Sequence, residues 1–270
     1  MILSLIFIKE SEDLVEFSIF IIGLIFGSFL NMLIYRLPLG ISLINPKRSI
    51  CPNCNHSIKW YENLPLVSYI LLKGKCSNCK DKISITYPVV ETITLIVTIL
   101  LFQKFNLTND FYVSLLLFYT LIVLSFIDLK YKAVPDYLLI LALITSLFIS
   151  DFDFKSIFLF AGGIVILELF ITYYIQNIKS KILKDDSLKT QKAVGEGDIP
   201  IIAIIGGVLG IKLGIVAIFL SAIFAIIPSL VNNIIKKDIE TPFIPFLSLG
   251  LFVVYVNDIY FLEILKEIVK

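Results

Sequence analysis

Two groups of residues in this chain have types and spacings that could do chemistry. The first is a set of four cysteines, Cys51-Pro52-Asn53-Cys54 and Cys76-Ser77-Asn78-Cys79, with residues 55–75 between the pairs. Each CxxC makes a tight knuckle that offers two thiolates to one edge of a tetrahedron, and two knuckles close a site of the zinc-ribbon kind. Four sulfurs leave no open coordination position, so the expected metal is a single structural zinc ion rather than a catalytic one. Disulfides, an iron–sulfur cluster and an empty site are the competing readings. Disulfides are disfavoured because the charge pattern described below places this segment in a reducing compartment. A loop this short cannot sustain a core of its own, so a metal staple has a physical purpose. His56 lies beside the first knuckle and is expected to be a bystander.

The second group is acidic residues at the ends of apolar stretches. Asp128 closes one, in Leu124-Ser125-Phe126-Ile127-Asp128, and Asp198 opens another, in Gly195-Glu196-Gly197-Asp198-Ile199-Pro200. Ionisable groups at membrane helices are costly and each needs a reason. Two carboxyls that share a site titrate as a pair, and one keeps its proton while the other ionises. The ionised member can take a proton from water while its partner polarises a peptide carbonyl, which is aspartic-protease chemistry. Structural readings stand beside this one. Asp198 ahead of Pro200 fits a helix N-cap, as does Asp136 after Pro135, and Asp128 fits an interfacial residue paired with Lys130 or Lys132. Gly195 and Gly197 permit close backbone approach and unusual φ. Glu91, near the cytoplasmic end of the expected second helix, is equally open to either kind of reading.

The elements that must position these residues follow from composition. The 270 residues are 58% hydrophobic and 17% charged, with a formal net charge of +1 and mean hydropathy +0.94. That excludes a soluble globular chain, disorder, collagen and a small disulfide-stapled fold. The near-zero charge argues against a nucleic-acid partner. The expectation is an all-α polytopic membrane protein whose surroundings are the lipid bilayer. Eight apolar stretches approach spanning length: 17–34, 83–102, 111–127, 137–149, 157–175, 199–210, 215–234 and 243–256. None alternates with the period of a membrane barrel strand. The opening MILSLIFI is too short to span and does not read as a cleaved signal peptide. The run 199–234 is divided at Gly206, Gly207, Gly210 and Lys212; left whole, it would give seven helices.

Lys and Arg decide between these counts. With eight helices, loops 35–82, 128–136, 176–198 and 235–242 hold seventeen of the twenty-three basic residues. The positive-inside rule puts those loops in the cytoplasm and both termini outside it. A seven-helix chain would export Lys236 and Lys237. Asp128 and Asp198 then fall at the same depth, on the cytoplasmic face.

Taken in order, these motifs resemble the type IV prepilin peptidases, bifunctional leader peptidase/N-methyltransferases. The resemblance runs from Gly27-Ser28-Phe29-Leu30-Asn31 and Tyr35-Arg36-Leu37-Pro38 through the knuckles, with Glu62-Asn63-Leu64-Pro65 and Lys73-Gly74-Lys75-Cys76 between them. It continues with Pro88-Val89-Val90-Glu91, the segment from Ile127-Asp128 to Val134-Pro135-Asp136, Gly195-Glu196-Gly197-Asp198 and Pro242-Phe243-Ile244-Pro245-Phe246. The resemblance implies that Asp128 and Asp198 are the catalytic aspartates of a GxGD-type protease in the bacterial inner membrane. The substrates it implies are prepilins or pseudopilins, whose new N-terminus is then methylated with S-adenosylmethionine. Gly74 and Lys75 match positions linked to methyl transfer. The family's common form has a Lys two residues after the motif Asp, where this chain has Pro200. The expected organisation is an N-terminal helix (1–36), a four-cysteine zinc-binding loop with the methyltransferase part (37–82) and a seven-helix peptidase region (83–270). A peptidase without methyl transfer, and a non-enzymatic membrane scaffold with a zinc loop, are the alternatives.

Overall fold

The computed structural model describes residues 2–45, 48–183, 186–190, 195–235 and 242–268. Lys47, Lys184, Lys192, Lys236, Lys237 and Lys270, which enter the charge count, lie outside the described residues. The helices are α1 (Ile2–Arg36), α2 (Val67–Leu71), α3 (Thr86–Phe105), α4 (Asn109–Tyr131), α5 (Asp136–Ser146), α6 (Phe154–Tyr173), α7 (Ser180–Leu183), α8 (Asp198–Ile235), α9 (Ile244–Val256) and α10 (Asp258–Ile268). Among the described residues there are no strands, only two isolated bridges, Ile50 with Ser57 and Lys75 with Lys82. The chain is an all-α polytopic membrane protein. It divides into two compact units, Met1–Val123 and Leu124–Lys270, with the boundary inside α4.

In the first unit α1 and α3 pack through small residues. A Cβ on Gly23 would stand 3.1 Å from the Leu95 Cα, and one on Gly27 would stand 2.7 Å from the Glu91 Cα. Two glycines four residues apart let helix backbones approach where lipid offers no hydrophobic drive for association. One turn on, the Asn31 amide donates to the Tyr87 carbonyl at 3.0 Å, so pairs 23/95, 27/91 and 31/87 define an antiparallel register. The same unit buries Thr98 and Tyr119, whose hydroxyls bond at 2.7 Å. That pairing satisfies two polar groups that hydrocarbon would leave without partners.

In the second unit α6 starts on a cap: the Asp153 carboxylate accepts from the Lys155 and Ser156 amides. Its first turns lie against α8, where Gly206 and Gly214 face Phe160 and Gly207 faces Phe152. Beyond Phe160 no α6 residue is buried, so this apolar helix is left to the lipid. Gly210 interrupts α8 with φ 68° and ψ −177°, a region open essentially to glycine alone. The expected division of 199–234 thus falls at Gly210. Gly250 of α9 packs on Ser221 and Ala217 of α8.

Each of the eight expected stretches lies mostly in helix, with 199–210 and 215–234 both inside α8. Among the described residues five helices are long and apolar enough to cross a membrane, within 13–36, 86–105, 109–131, 154–183 and 198–230, and a sixth span arises if α9 and α10, bent by 83°, count as one. Taken singly, α5 and α9, with 11 and 13 residues, are shorter than the ~20 needed to cross. The same holds for α8 up to Gly210. The amphipathic α10 has no counterpart among the expected stretches.

Candidate active site

Asp128 lies three residues before the end of α4 and is 8% exposed. It does not act as a local cap. Its Oδ2 accepts the backbone N–H of Ile244, 3.3 Å away at the first residue of α9. Pro245 follows at the next position and supplies no N–H, so Ile244 is the donor the start of α9 can spare. Asp198 is the first residue of α8. An N-cap would accept from an amide two or three residues ahead. Asp198 instead reaches backwards: its Oδ2 accepts the Gly195 N–H at 3.3 Å, while its own N–H donates to the Gly195 carbonyl at 3.0 Å. Pro200 sits in the first turn of α8, where a missing N–H costs the helix nothing. The two acids share a neighbour: a Cβ on Gly197, next to Asp198, would stand 3.3 Å from Cδ1 of Ile244, whose N–H holds Asp128. Each has one oxygen held by a backbone N–H, and among the described residues the other oxygen has no protein donor.

The glycines of the motif serve by their size. Neither Gly195 nor Gly197 has positive φ, so the expected freedom in φ is not what the structure uses. A Cβ on Gly195 would stand 3.0 Å from the Asp198 Oδ2. One on Gly197 would stand 2.9 Å from Val134 Cγ2 and 3.3 Å from Ile244 Cδ1. Gly197 is therefore wedged between the approach to α5 and the start of α9, the residue whose amide holds Asp128. In the sequence Val134 and Ile244 stand out only as parts of motifs. Their role in the site depends on a tertiary contact that spacing does not reveal. Asp136 makes no side-chain cap at α5, whose N-cap position is Pro135.

The cysteine loop belongs to the first unit, and its two knuckles repeat each other. Cys51 N–H donates to the His56 carbonyl and Asn55 N–H to the Cys51 carbonyl; Cys76 to Asp81 and Lys80 to Cys76 do the same. Asn55 and Lys80 take matching positive φ values of 55° and 62°, and the isolated bridges flank the two knuckles alike. The four Sγ atoms lie within 4.8 Å of one another, with Cys51–Cys79 at 3.9 Å and Cys54–Cys76 at 4.0 Å. Metal–sulfur bonds of ~2.3 Å at tetrahedral angles require edges of ~3.8 Å, whereas a disulfide needs ~2 Å. The residues fit a four-thiolate metal site. The His56 N–H and the Asn78 amide donate to Cys54 and lower its thiol to about 6. The Cys79 and Asn78 amides lower Cys76 likewise. Cys79 receives the Asp81 N–H, yet burial and the three neighbouring sulfurs push it up to about 11. His56 sits 3.8 Å from Glu62, outside the sulfur set.

Gly74 and Lys75 lead into the second knuckle. Gly74 follows α2 with φ 64°, its N–H on the Tyr69 carbonyl at 2.9 Å, and the Tyr69 ring lies where a Cβ would point. Only glycine suits that position.

Fold and site together define a polytopic membrane protein with paired carboxyls at the ends of two of its helices and a metal-ready thiol loop. A family model described as the bacterial peptidase A24 N-terminal domain matches residues 21–105, and one described as the type IV leader peptidase family matches residues 115–230. A prepilin leader peptidase/N-methyltransferase of Vibrio cholerae serotype O1 is 34% identical over 81% of this chain and 86% of its own length. Proteins of the same name from Pseudomonas aeruginosa and Bacillus subtilis are 30% and 29% identical, over 85% and 88% of this chain and 86% and 92% of theirs. No solved structure matches the chain. The chain belongs to the type IV leader peptidase family.

Proposed function

We propose that this chain is an aspartic endopeptidase of the bacterial inner membrane that removes the leader of type IV prepilins or pseudopilins. It then N-methylates the amine so exposed, with S-adenosylmethionine as methyl donor. The observation that carries the reading is that Asp128 and the Gly197-Asp198 start of α8 both lie against Ile244, with both acids within residues matching the leader peptidase family. One carboxylate takes a proton from water as the oxygen attacks the scissile carbonyl; the protonated partner polarises that carbonyl, and a proton passes to the leaving amine. The Ile244 and Gly195 amides fix one oxygen of each aspartate, which leaves the other for water or substrate.

Cys51, Cys54, Cys76 and Cys79 hold one structural zinc ion, which closes a loop too small to fold alone. Methyl transfer belongs to the 37–82 segment, with Gly74 and Lys75 beside the donor, and peptide cleavage to the helices of 83–270. The charge distribution supports cytoplasmic loops at 35–82, 128–136, 176–198 and 235–242, with both termini outside. The names of the relatives carry both activities, so neither the peptidase-only nor the scaffold alternative is favoured.

The test is mass spectrometry on purified enzyme given a prepilin peptide and S-adenosylmethionine. The expected product is shortened at the leader junction and heavier by one methylene at its new N-terminus. An uncut peptide would overturn the reading, and a cut but unmethylated one would leave the peptidase alone.

A further inference from the structure

We propose that Glu91 is the amine-binding group of methyl transfer: its carboxylate, where α1, α3 and the segment between the knuckles meet, receives the α-ammonium left by leader cleavage and accepts its proton. The inference rests on the methyltransferase reading above. Glu91 is 7% exposed on a helix apolar enough to cross the membrane. Its Oε2 accepts the Leu66 N–H at 2.8 Å. Among the described residues Oε1 has no protein donor and no cation pairs with the group. A glutamine would accept the same N–H without the cost of burying a charge. The carboxylate is therefore explained by a cation that arrives from outside the chain.

The surroundings suit a primary ammonium, which has three protons to donate. Asn63 gives its amide N–H to Ser28 at 3.3 Å and Asn31 gives its own to Tyr87 at 3.0 Å. Among the described residues, both amide carbonyl oxygens are without donors. Leu66 itself is held at φ 59° and ψ −46°, a backbone strain of the kind that collects at ligand sites. From Leu66 the short α2 leads to Gly74, whose N–H folds back onto the Tyr69 carbonyl at 2.9 Å.

The chemistry balances. An α-ammonium has its pKa near ~8 and no lone pair at neutral pH. Its proton passes to Glu91, giving neutral amine and carboxylic acid. The amine lone pair forms the N–C bond to the sulfonium methyl, and the C–S pair returns to sulfur as a thioether. The product ammonium keeps one positive charge, and the proton on Glu91 leaves to water. Among the described residues, the groups in contact with Glu91 do not compete for that proton. α1 presents Gly27 and the loop presents the Leu66 N–H. On α3 the nearest titratable side chain is Tyr87, one turn away.

The experiment measures methylation of a pre-cut pilin-type peptide with a free N-terminal amine by the full-length enzyme across pH. The wild-type rate is expected to hold well below ~pH 8, because Glu91 strips the proton. Glu91→Gln keeps the acceptor for Leu66; it is expected to lose roughly 10²-fold at neutral pH and to recover as pH rises through the amine's own range. A wild-type rate that falls in step with free amine, or an E91Q rate equal to wild type, overturns the proposal. Leader cleavage and metal content of E91Q are read in parallel, and if either shows misfolding, the wild-type pH profile decides alone. A wild-type enzyme that cuts but methylates at no pH fails the methyltransferase reading itself.

Discussion

Adding one methyl group at Gly197 tests whether the motif glycine sets the position of the aspartates. In Gly197→Ala the new Cβ would stand 2.9 Å from Val134 Cγ2 and 3.3 Å from Ile244 Cδ1, against ordinary contacts that begin at 3.4 Å. Overpacking of this kind costs about 1–3 kcal/mol. Relief by moving Ile244 strains a bond already at its limit, since the Ile244 N–H to Asp128 distance is 3.3 Å. A misplacement of ~1 Å at a reacting centre can cost ~10²-fold in rate. Leader cleavage by G197A, measured as kcat and KM on a prepilin peptide, is expected to fall roughly 10- to 100-fold, mostly in kcat. Val134→Ala removes the closer obstacle, so the double variant should regain most of the loss, a coupling of the size neighbouring residues show. Wild-type cleavage by G197A, or a double variant no better than the single, would refute the steric reasoning.

Other substitutions separate the parts of the molecule. Gly210→Ala must hold φ 68° and ψ −177° and should lose about 1–3 kcal/mol of stability, read by thermal unfolding, with both activities falling together. Cys51→Ser, or a strong chelator, should empty the thiol site and abolish methylation while cleavage declines less; metal content and product mass report the two. Acid should release the metal. The Cys54 thiol is lowered to about 6 in the folded loop, so its contribution is full above the ordinary thiol range and disappears as pH falls through that value. Glu62 is held below its usual range by the Lys59 N–H and the Ser77 hydroxyl, and its contribution persists to lower pH. Metal retained after dialysis at stepped pH should therefore drop with a midpoint at or below about 6, and release at neutral pH would contradict this.

Much of the fold is legible in the sequence because hydrocarbon imposes long apolar runs, and each run is a helix. The break at Gly210 is readable because glycines cluster there beside Lys212. The α1–α3 crossing is not. Gly23 and Gly27 carry the spacing, but only a partner helix shows that Leu95 and Glu91 come within a methyl's width. The short α2 and the amphipathic α10 lack the length or apolarity that marks the others. At the site, acid identity and position are readable from chemistry and motif order. The donors that hold the acids are not, because backbone amides such as those of Ile244 and Gly195 have no signature of their own. Pro245 is the available hint: a proline one residue into a helix leaves its neighbour's amide to find a partner. The cysteine spacing points to two knuckles, but that their hydrogen bonds match and bring the four sulfurs together is seen only in the structure.

The central claim is that Asp128 and Asp198 act as one unit, and leader cleavage by purified Asp128→Asn, Asp198→Asn and the double variant tests it most directly. Each single variant is expected to lose at least ~10²-fold in kcat with metal content intact. The double variant is expected to be little worse than either, because members of one catalytic unit are not additive. Near-wild-type cleavage by either single variant, or losses that multiply in the double, would contradict a shared role.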